Sequence, residues 1–309
     1  MIKTFPVKVD SGFQVGLRSA IAKGQEKNAG PAPAMFDTMF DAIFNTAPRS
    51  LTGSLTGSLT GPLSLLILLI SPAVGSFLGV LADRLPRGES VIRPHSACRR
   101  CGARLTVPDL IPVLSYALLR GRCRHCGGAV APWHLYIELT AMGLAAIVVA
   151  RGGTAPELLL NVALLWGLLA LVASDLMWFR LPDLLTGATL ILALGLALQP
   201  GAGVGPAAAL VGAGLGAGSF WLIRITYRHL RGRDGLGLGD VKLMAGLGAL
   251  TGPALLPHLV GLAALGALTV ALLQRLSDRS ALAPDRPLPF GAALALAGMG
   301  LWVWQRLPG

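Results

Sequence analysis

The sequence carries little charge for its length. Only 13% of its 309 residues are charged, against about 25% in typical soluble domains, whereas 53% are hydrophobic and the mean hydropathy is +0.65. This balance excludes an ordinary soluble globular chain. Apolar runs close to the ~20 residues of a bilayer span recur along it, so we expect an all-α polytopic membrane protein with about eight transmembrane helices. They are predicted at roughly 62–82, 134–150, 156–174, 184–199, 205–225, 241–252, 254–273 and 288–305. The sixth run is short and glycine-rich, and Gly252-Pro253 is a natural break after it.

Acidic residues are scarcer than basic ones, with 15 Asp and Glu against 26 Lys and Arg and a formal net charge of +11. Such a balance could indicate nucleic-acid binding, but the positive residues fall in alternate loops. Segments 83–133, 224–242 and 274–287 hold nine, five and three Lys or Arg, whereas the loops on the opposite side, at 151–155 and 200–204, hold only Arg151 and none. By the positive-inside rule the basic loops are cytoplasmic. Membrane topology explains the charge, membrane lipid is the expected surrounding, and no nucleic-acid partner is required.

Residues 1–60 differ from the rest of the chain. They are of low complexity, end in a Leu-Thr-Gly-Ser repeat at 51–61, and lack the layout of a secretory signal. We expect a disordered extension without assigned function. Its six Lys and Arg conflict with an external N-terminus, so either the segment escapes the charge rule or translation starts later, at Met35 or Met39. The predicted organisation is this extension, then 61–133 with the first span and a cytoplasmic cysteine loop, then 134–309 as a helical membrane bundle.

Cysteine is rare, and all four cysteines lie in the first basic loop, as Cys98-x-x-Cys101 and Cys123-x-x-Cys126. Two such pairs separated by 21 residues match a zinc ribbon, in which four thiolates surround one tetrahedral ion. Two disulfides are the alternative, which a reducing cytoplasm disfavours. His95 and His125 could substitute as ligands, but four thiolates already complete the set. We predict a small zinc-ribbon-like loop whose zinc is structural, because four protein ligands leave no position for water.

Two carboxylates lie at the ends of apolar runs, where an uncompensated charge in a membrane helix costs at least a few kcal/mol. Asp240 follows the turn Gly-Leu-Gly at 237–239, and Asp175 ends the run 156–174. Two carboxylates that face one another can share a proton and activate water, as in aspartic proteases. The sequence therefore predicts Asp175 and Asp240 as the catalytic pair of a membrane aspartyl protease.

Asp183 competes with Asp175 for a place in this pair. Asp183 begins the next apolar run, where a carboxylate caps free amides and suits the helix dipole. Asp175 has no such structural reason, because a negative charge at a helix C-terminus opposes the dipole. The residues alone favour Asp175. Asp240 has its own alternative role, as N-cap of a helix that begins at Val241, but the preceding glycines favour function because they permit close backbone approach to an extended substrate.

Five blocks occur in order between about 65 and 300: residues 75–86 (GSFLGVLADRLP), the cysteine loop with 111–116 and 137–140, Asp175 with Leu181-Pro182-Asp183, Gly237-Leu238-Gly239-Asp240, and Pro289-Phe290-Gly291. Together they resemble the type IV prepilin leader peptidases with N-methyltransferase activity, a family of GxGD membrane aspartyl proteases. Two positions depart from the family pattern. Gly79 stands where Asn is usual, and Ala292 stands where Pro often follows Phe-Gly.

The resemblance implies that Asp175 and Asp240 form the catalytic dyad. It further implies cleavage after the Gly that ends the short basic leader of a prepilin or pseudopilin, followed by methylation of the new N-terminal amine. S-adenosylmethionine would be the methyl donor, and the bacterial inner membrane the location. The residues that bind the donor stay unassigned, because the segment from Gly235 to Asp240 lacks the preceding strand of a dinucleotide fingerprint.

Three other functions fit parts of this sequence. A multi-span transporter with a zinc-ribbon loop would place polar residues near the midplane of several spans, yet 156–173 and 254–273 offer only Glu157, Asn161, His258 and Thr269. A non-catalytic assembly factor of a secretion system would not need both Asp175 and Asp240. A GxGD protease of the presenilin type is the nearest enzymatic alternative, and the cysteine loop argues against it.

Overall fold

The computed structural model describes residues 61–92, 96–200, 202–233, 235–277 and 288–306. The predicted N-terminal extension, 1–60, lies outside these ranges. The described residues form helices joined by turns, and the strand pairing among them is limited to two isolated bridges, Ala97 with Arg104 and Arg122 with Ala129. The helices are α1 (Pro62–Arg84), α2 (Leu114–Leu118), α3 (Trp133–Arg151), α4 (Ala155–Trp178), α5 (Asp183–Ala197), α6 (Pro206–Arg231), α7 (Leu238–Ser277) and α8 (Phe290–Gln305), with short 3₁₀ turns at Leu85–Arg87 and Val107–Leu110.

Five of these helices, α1, α3, α4, α6 and α7, are long and apolar enough to cross a membrane. Two more, α5 and α8, are apolar but have only 15 and 16 residues. The predicted all-helical, multi-pass architecture is confirmed. The predicted count of about eight spans is not established by these helix lengths.

The break predicted at Gly252-Pro253 lies in the middle of α7. Gly252 has φ 70° and ψ 172°, which is not helical. Gly216 of α6 lies against Met244 on one side of this break and against Leu256 on the other. In a continuous helix those two residues would lie about 18 Å apart along the axis, at 1.5 Å per residue. The second half of α7 therefore doubles back beside the first.

Helix α4 forms the centre of the bundle and packs against α1, α3, α5 and α8. It begins with a capping box, in which the Thr154 side chain accepts from the Glu157 amide and the Glu157 carboxylate accepts from the Thr154 amide at 2.9 Å. Buried leucines follow on every face, so 67% of its most apolar stretch is inside the protein, against 22% for α6. This central position holds Asp175, near its C-terminus, away from lipid.

Glycines let α6 and α7 approach closely. A methyl group added at Gly212 would collide with the backbone carbonyl of Gly248, and one at Gly248 would collide with that of Gly212. Small residues at such crossings are typical of membrane helices, whose association depends on close packing. The first half of α7 is thereby held against α6, which fixes the position of Asp240 at its start.

A polar network ties the helices together at the end of the bundle opposite Asp175. Asn161 is buried, and its side-chain oxygen accepts hydrogen bonds from the Trp302 indole at 2.8 Å and from Arg306. Arg151 donates to the Val303 carbonyl at 3.0 Å. Asn161 thus has a structural partner, which agrees with the sequence argument that it does not mark a transport path.

Candidate active site

Asp175 lies in the last turn of α4 and is 6% exposed. Its Oδ2 accepts a hydrogen bond from the Ala292 backbone amide at 2.7 Å, and the Gly291 amide also donates to it. These amides belong to the first turn of α8, which has Pro289 at its N-cap and no side-chain cap of its own. The carboxylate of Asp175 therefore caps α8 from another helix, satisfying amides that would otherwise lack a partner.

This contact corrects one step of the sequence argument. Asp175 does have a structural reason to be where it is, because the positive end of α8 offsets the unfavourable C-terminal end of α4. A capping role does not conflict with chemistry. It fixes the orientation of the carboxylate at the cavity that Asp240 also lines.

Asp240 lies in the first turn of α7, which starts at Leu238. The alternative role as N-cap of a helix beginning at Val241 is therefore wrong. The Gly237 amide donates to the Asp240 carboxylate, and the negative charge of Asp175 acts on it. A methyl group at Gly291 would lie 3.0 Å from Asp240 Oδ1 and 2.7 Å from Leu181 Cδ1. Glycine at 291 thus allows the start of α8 to lie between Leu181 and Asp240.

The glycines before Asp240 have neighbours in the protein itself. A methyl group at Gly239 would lie 2.9 Å from Leu181 Cβ, and one at Gly235 would collide with the Tyr227 ring. These two positions require glycine for packing, and a close approach of substrate is not needed to explain them.

Both carboxylates line one cavity of about 380 Å³ at this end of the bundle. The turn between α4 and α5, residues 179–183, forms one side, and Leu85 and Pro86 after α1 form another. The volume falls in the range of ligand pockets, roughly 300–1,000 Å³. The structure thus brings together the two carboxylates that the sequence singled out, although they lie on different helices.

The turn after α4 is strained. Phe179, which ends the helix and lines the cavity, has φ 51° and ψ 37°, a left-handed conformation that costs a non-glycine residue about 1–2 kcal/mol. Its amide donates to the Asp175 carbonyl at 2.9 Å, and Ser174 Oγ donates to the Arg180 carbonyl at 2.6 Å. These bonds hold the turn, and with it the cavity wall next to Asp175.

Asp183 also lines the cavity but differs from the other two carboxylates. It is the first residue of α5, where its negative charge suits the helix dipole as predicted. Its side chain accepts no hydrogen bond from a backbone amide among the described residues, so the predicted cap is absent. Its Oδ1 instead pairs with Lys242 Nζ at 2.6 Å, and its side chain is 74% exposed. Asp183 therefore lies at the cavity rim with a cationic partner, in contrast to buried Asp175.

The four cysteines meet in a second site, on the loop between α1 and α3. Their sulfurs all lie within 4.8 Å of one another, a group that could hold a metal ion. Each pair forms the same turn: Gly102 donates to the Cys98 carbonyl at 2.8 Å, and Gly127 donates to the Cys123 carbonyl at 2.9 Å. Both glycines have positive φ, 70° and 64°. All four cysteines are free thiols, so the disulfide alternative is wrong.

The surroundings of this cluster divide its thiols. Hydrogen bonds from the backbone amides of Cys101 and Arg100 lower the pKa of Cys98 to about 6. Although a hydrogen bond from the Ala103 amide lowers the pKa of Cys101, desolvation and the neighbouring sulfurs together raise it to about 11. Beside the cluster, Asp109 Oδ2 accepts from the Thr106 hydroxyl at 2.6 Å, and Oδ1 accepts from Arg124 at 2.8 Å. The Thr106 bonds and Arg124 lower the pKa of Asp109 to about 2.

Sequence reasoning named several residues of the site only as parts of, or departures from, the family pattern and gave them no place in its geometry. Leu181, Gly291 and Ala292 contact or position the carboxylates, and two further acids anchor the cysteine loop. Buried Glu138 of α3 accepts from the Val113 amide at 2.7 Å, and Asp83 of α1 pairs with Arg99 at 2.6 Å. A buried acid in an apolar helix was the signal that could have identified Glu138.

Comparisons with known proteins agree with this arrangement. The model of the bacterial peptidase A24 N-terminal domain matches residues 69–151, which include the cysteines, and that of the type IV leader peptidase family matches 162–272, which include Asp175 and Asp240. Similar proteins include a prepilin leader peptidase/N-methyltransferase of Burkholderia pseudomallei (strain 1026b), 39% identical over 70% of this chain and 69% of that protein. Proteins of the same name from Dickeya chrysanthemi and Pseudomonas aeruginosa are 38% and 32% identical, each over 77% of this chain and over 91% and 89% of their own length. No solved structure matches the chain.

Proposed function

This chain belongs to the type IV leader peptidase family, and on that premise we propose that it is a prepilin leader peptidase with N-methyltransferase activity. It cleaves the basic leader from type IV prepilins or pseudopilins at the cytoplasmic face of the bacterial inner membrane. It then methylates the new N-terminal amine. The observation that carries the proposal is the shared cavity of Asp175 and Asp240.

The two carboxylates supply the hydrolytic chemistry. One of them, ionised, takes a proton from a water molecule, whose oxygen then attacks the scissile carbonyl carbon. The other, neutral, donates a hydrogen bond to the carbonyl oxygen. As the C–N bond breaks, a proton passes from the carboxyl pair to the leaving amine. The two carboxylates line the same cavity, so the charge of one disfavours ionisation of the other and one proton can be shared between them. The cavity of about 380 Å³ that both carboxylates line leaves room for an extended peptide segment.

The position of the cavity suits a substrate that is itself anchored in the membrane. The cavity lies where α4 ends and where α5, α7 and α8 begin, at one end of the bundle. A prepilin with its apolar helix in the bilayer would present the adjoining peptide bond at that depth. Its basic leader would then extend from the cavity into the cytoplasm.

We count eight membrane-crossing segments in this arrangement. The two halves of α7 on either side of Gly252 are counted separately, and the shorter apolar helices α5 and α8 are counted as one crossing each. With the basic cysteine loop in the cytoplasm, the starts of α5, α7 and α8 face the cytoplasm as well. Asp175, Asp183 and Asp240 would then all lie on that side.

The four-cysteine cluster fits a structural zinc ion. Four sulfurs within 4.8 Å of one another match the donor set of a tetrahedral thiolate site. When bound, zinc supplies a cross-link between the two turns of the loop. Cys98, Cys101, Cys123 and Cys126 would hold it, and no position is left for catalytic water.

Methyl transfer rests on family membership. S-adenosylmethionine, when bound, supplies the methyl group, and no described residue is assigned to its binding. The acceptor is the free amine that proteolysis creates, so cleavage must precede methylation.

The test is an assay of the full-length protein in membranes with a prepilin-type peptide that carries a basic leader ending in Gly. The account predicts leader release without cofactor, and a mass increase of the product by one methyl group only when S-adenosylmethionine is added. A matched peptide with Gly replaced by a bulky residue serves as the control. Absence of leader release from the first peptide would overturn the proposal.

A further inference from the structure

Asp83 occupies an unusual position at the end of α1. The residue is 9% exposed, and its Oδ2 accepts from Arg87 at 2.7 Å and from Arg99 at 2.6 Å. Its Oδ1 is buried and has no hydrogen-bond partner in the part of the chain that the structure describes. Among the described residues, the ion pairs of Asp83 therefore all fall on Oδ2 and involve two arginines.

Each arginine connects Asp83 to a different part of the molecule. Arg99 lies between Cys98 and Cys101, within the first turn of the metal-binding cluster, and its side chain is 68% exposed. Arg87 ends the 3₁₀ turn that follows α1. Its guanidinium also pairs with Glu89 at 2.8 Å and lies 5.0 Å from the centre of the Trp178 ring.

The 3₁₀ turn forms a wall of the cavity described above. Leu85 and Pro86 line that cavity together with Asp175 and Asp240. The Pro86 carbonyl accepts from Arg180 at 3.1 Å, and the Arg180 carbonyl accepts from Ser174 at 2.6 Å. The wall is therefore connected on one side to the cysteine loop, through Asp83, and on the other to the turn next to Asp175.

We propose that Asp83 is a positioning residue that couples the metal-binding cysteine loop to the cavity of the aspartate pair. With the loop ordered, Arg99 and Arg87 both pair with Asp83, and the Leu85–Arg87 turn stays in the position that receives the peptide. When the loop loosens, Arg99 leaves. A buried carboxylate with one orphan oxygen then keeps a single cationic partner, a state that favours rearrangement of the turn. The inference rests on the proposed function only in that the ligand of the cavity is the substrate peptide.

The coupling predicts a particular kinetic effect. The turn contacts bound peptide but carries neither reacting carboxylate, so its displacement weakens substrate binding more than chemistry. If the salt bridge served stability alone, its removal would lower the unfolding temperature and leave KM unchanged. The comparison of KM with kcat therefore separates a positioning role from a merely structural one.

The variant Arg99→Gln tests the proposal, with Arg104→Gln as the matched control, because Arg104 is an exposed arginine on the same loop. We expect Arg99→Gln to raise KM for the prepilin-type peptide roughly five-fold or more with kcat changed less than KM, and Arg104→Gln to leave both at wild-type values. Removing metal from the wild type with a chelator should raise KM by a similar factor. The same treatment of Arg99→Gln should add little, since the link is already broken.

Hydrogen exchange supplies a readout independent of activity. The amides of Gly88 and Glu89 donate to the Leu85 and Arg84 carbonyls at 3.0 and 3.1 Å, and both should lose protection in Arg99→Gln and in metal-free wild type. Metal content is measured in every variant. Should Arg99→Gln fail to retain metal, Asp83→Asn, which keeps the loop's own residues, decides by the same two readouts.

Two results would overturn the coupling. One is exchange at Gly88 and Glu89 in Arg99→Gln that equals exchange in Arg104→Gln. The other is independence of the two changes: metal removal would then raise the KM of Arg99→Gln by the same factor as it raises the KM of wild type. If the wild-type protein fails to cleave the peptide, the proposed function fails, and hydrogen exchange still decides the coupling.

Discussion

The two sites of this protein are assembled in opposite ways. Each half of the cysteine cluster is a local turn, in which two cysteines three positions apart are held by their own glycine and backbone amides. The carboxylate site takes Asp175 from α4, Asp240 from α7 and amide donors from the start of α8, and the hydrogen bond from Ala292 to Asp175 spans 117 residues. The first site depends on its loop. The second depends on the packing of the whole bundle.

This difference sets what each kind of change should do. A change in the loop should remove the metal and disturb the aspartates only through the connections of the loop. A change in a helix terminus at the cavity should affect catalysis while the metal remains. The predictions below use this contrast, in order of decreasing effect.

The largest difference in cleavage rate is expected between variants of two carboxylates that line the same cavity, Asp240 and Asp183. Asp240→Asn should reduce leader cleavage on the order of 10³-fold, because it removes one member of the acid–base pair. Asp183→Asn should retain substantial cleavage, since it loses only a surface ion pair with Lys242, worth at most about 1 kcal/mol. Initial rates of leader release from the two purified proteins check this. Loss of cleavage in Asp183→Asn alone would mean that the pair has been wrongly assigned.

The next prediction concerns metal. Purified wild-type protein should contain about one zinc per chain, since four thiolates fill one tetrahedral site. Cys98→Ser combined with Cys101→Ser should lose it, whereas Asp240→Asn should keep it, because the two sites are built from separate elements. Metal analysis of the three proteins provides the measurement. Absence of zinc from freshly prepared, reduced wild type contradicts the assignment.

A smaller effect is expected at the start of α8. A methyl group at Gly291 would lie 2.7 Å from Leu181 Cδ1 and 3.0 Å from Asp240 Oδ1, so Gly291→Ala should displace the start of α8 from the aspartate pair. Initial rates of leader cleavage should fall about 10-fold, which corresponds to about 1.4 kcal/mol of lost transition-state stabilisation. Ala292→Gly keeps the amide that donates to Asp175 and should have a much smaller effect on kcat. Equal rates for the two variants would exclude a need for close packing of α8 against the pair.

The smallest effect should appear in the pH dependence of the loop. The pKa of Asp109 is lowered to about 2 by Thr106 and Arg124, against about 3.9 in an unfolded chain. Its stabilising contribution is therefore fully present above about pH 4 and is lost as the pH falls toward 2. The unfolding temperature of Asp109→Asn should lie below that of wild type at neutral pH, and the gap should close on acidification. A gap that stays constant would show that the charge of Asp109 does not stabilise the loop.

The same contrast explains what could be predicted from the sequence. The helices follow from apolar runs, the cysteine cluster follows from two local motifs, and the break at Gly252 follows from a Gly-Pro pair. Asp175 and Asp240 can be identified from the sequence because a carboxylate at the end of an apolar run is energetically costly and is seldom found without a function. Each of these inferences uses residues that lie close together along the chain.

What could not be predicted depends on partners far away in the sequence. The cap that Asp175 provides to α8 requires knowing that residue 292 returns to the same end of the bundle. The ion pair of Asp183 with Lys242, which replaces the expected cap, joins residues 59 positions apart. The ion pair of Arg99 with Asp83 could not be predicted either. The loop that follows α1 contains several arginines, and the sequence does not indicate which of them pairs with the acid.

The central claim is that Asp175 and Asp240 act as one unit, and the most direct test compares each single variant with the double variant. Leader cleavage is measured for Asp175→Asn, Asp240→Asn and the combination, in protein that retains its metal and inserts in membranes. The account predicts that each single change lowers the rate to the level of the double variant, since a proton-sharing pair fails when either member is lost. Substantial cleavage by either single variant would contradict it.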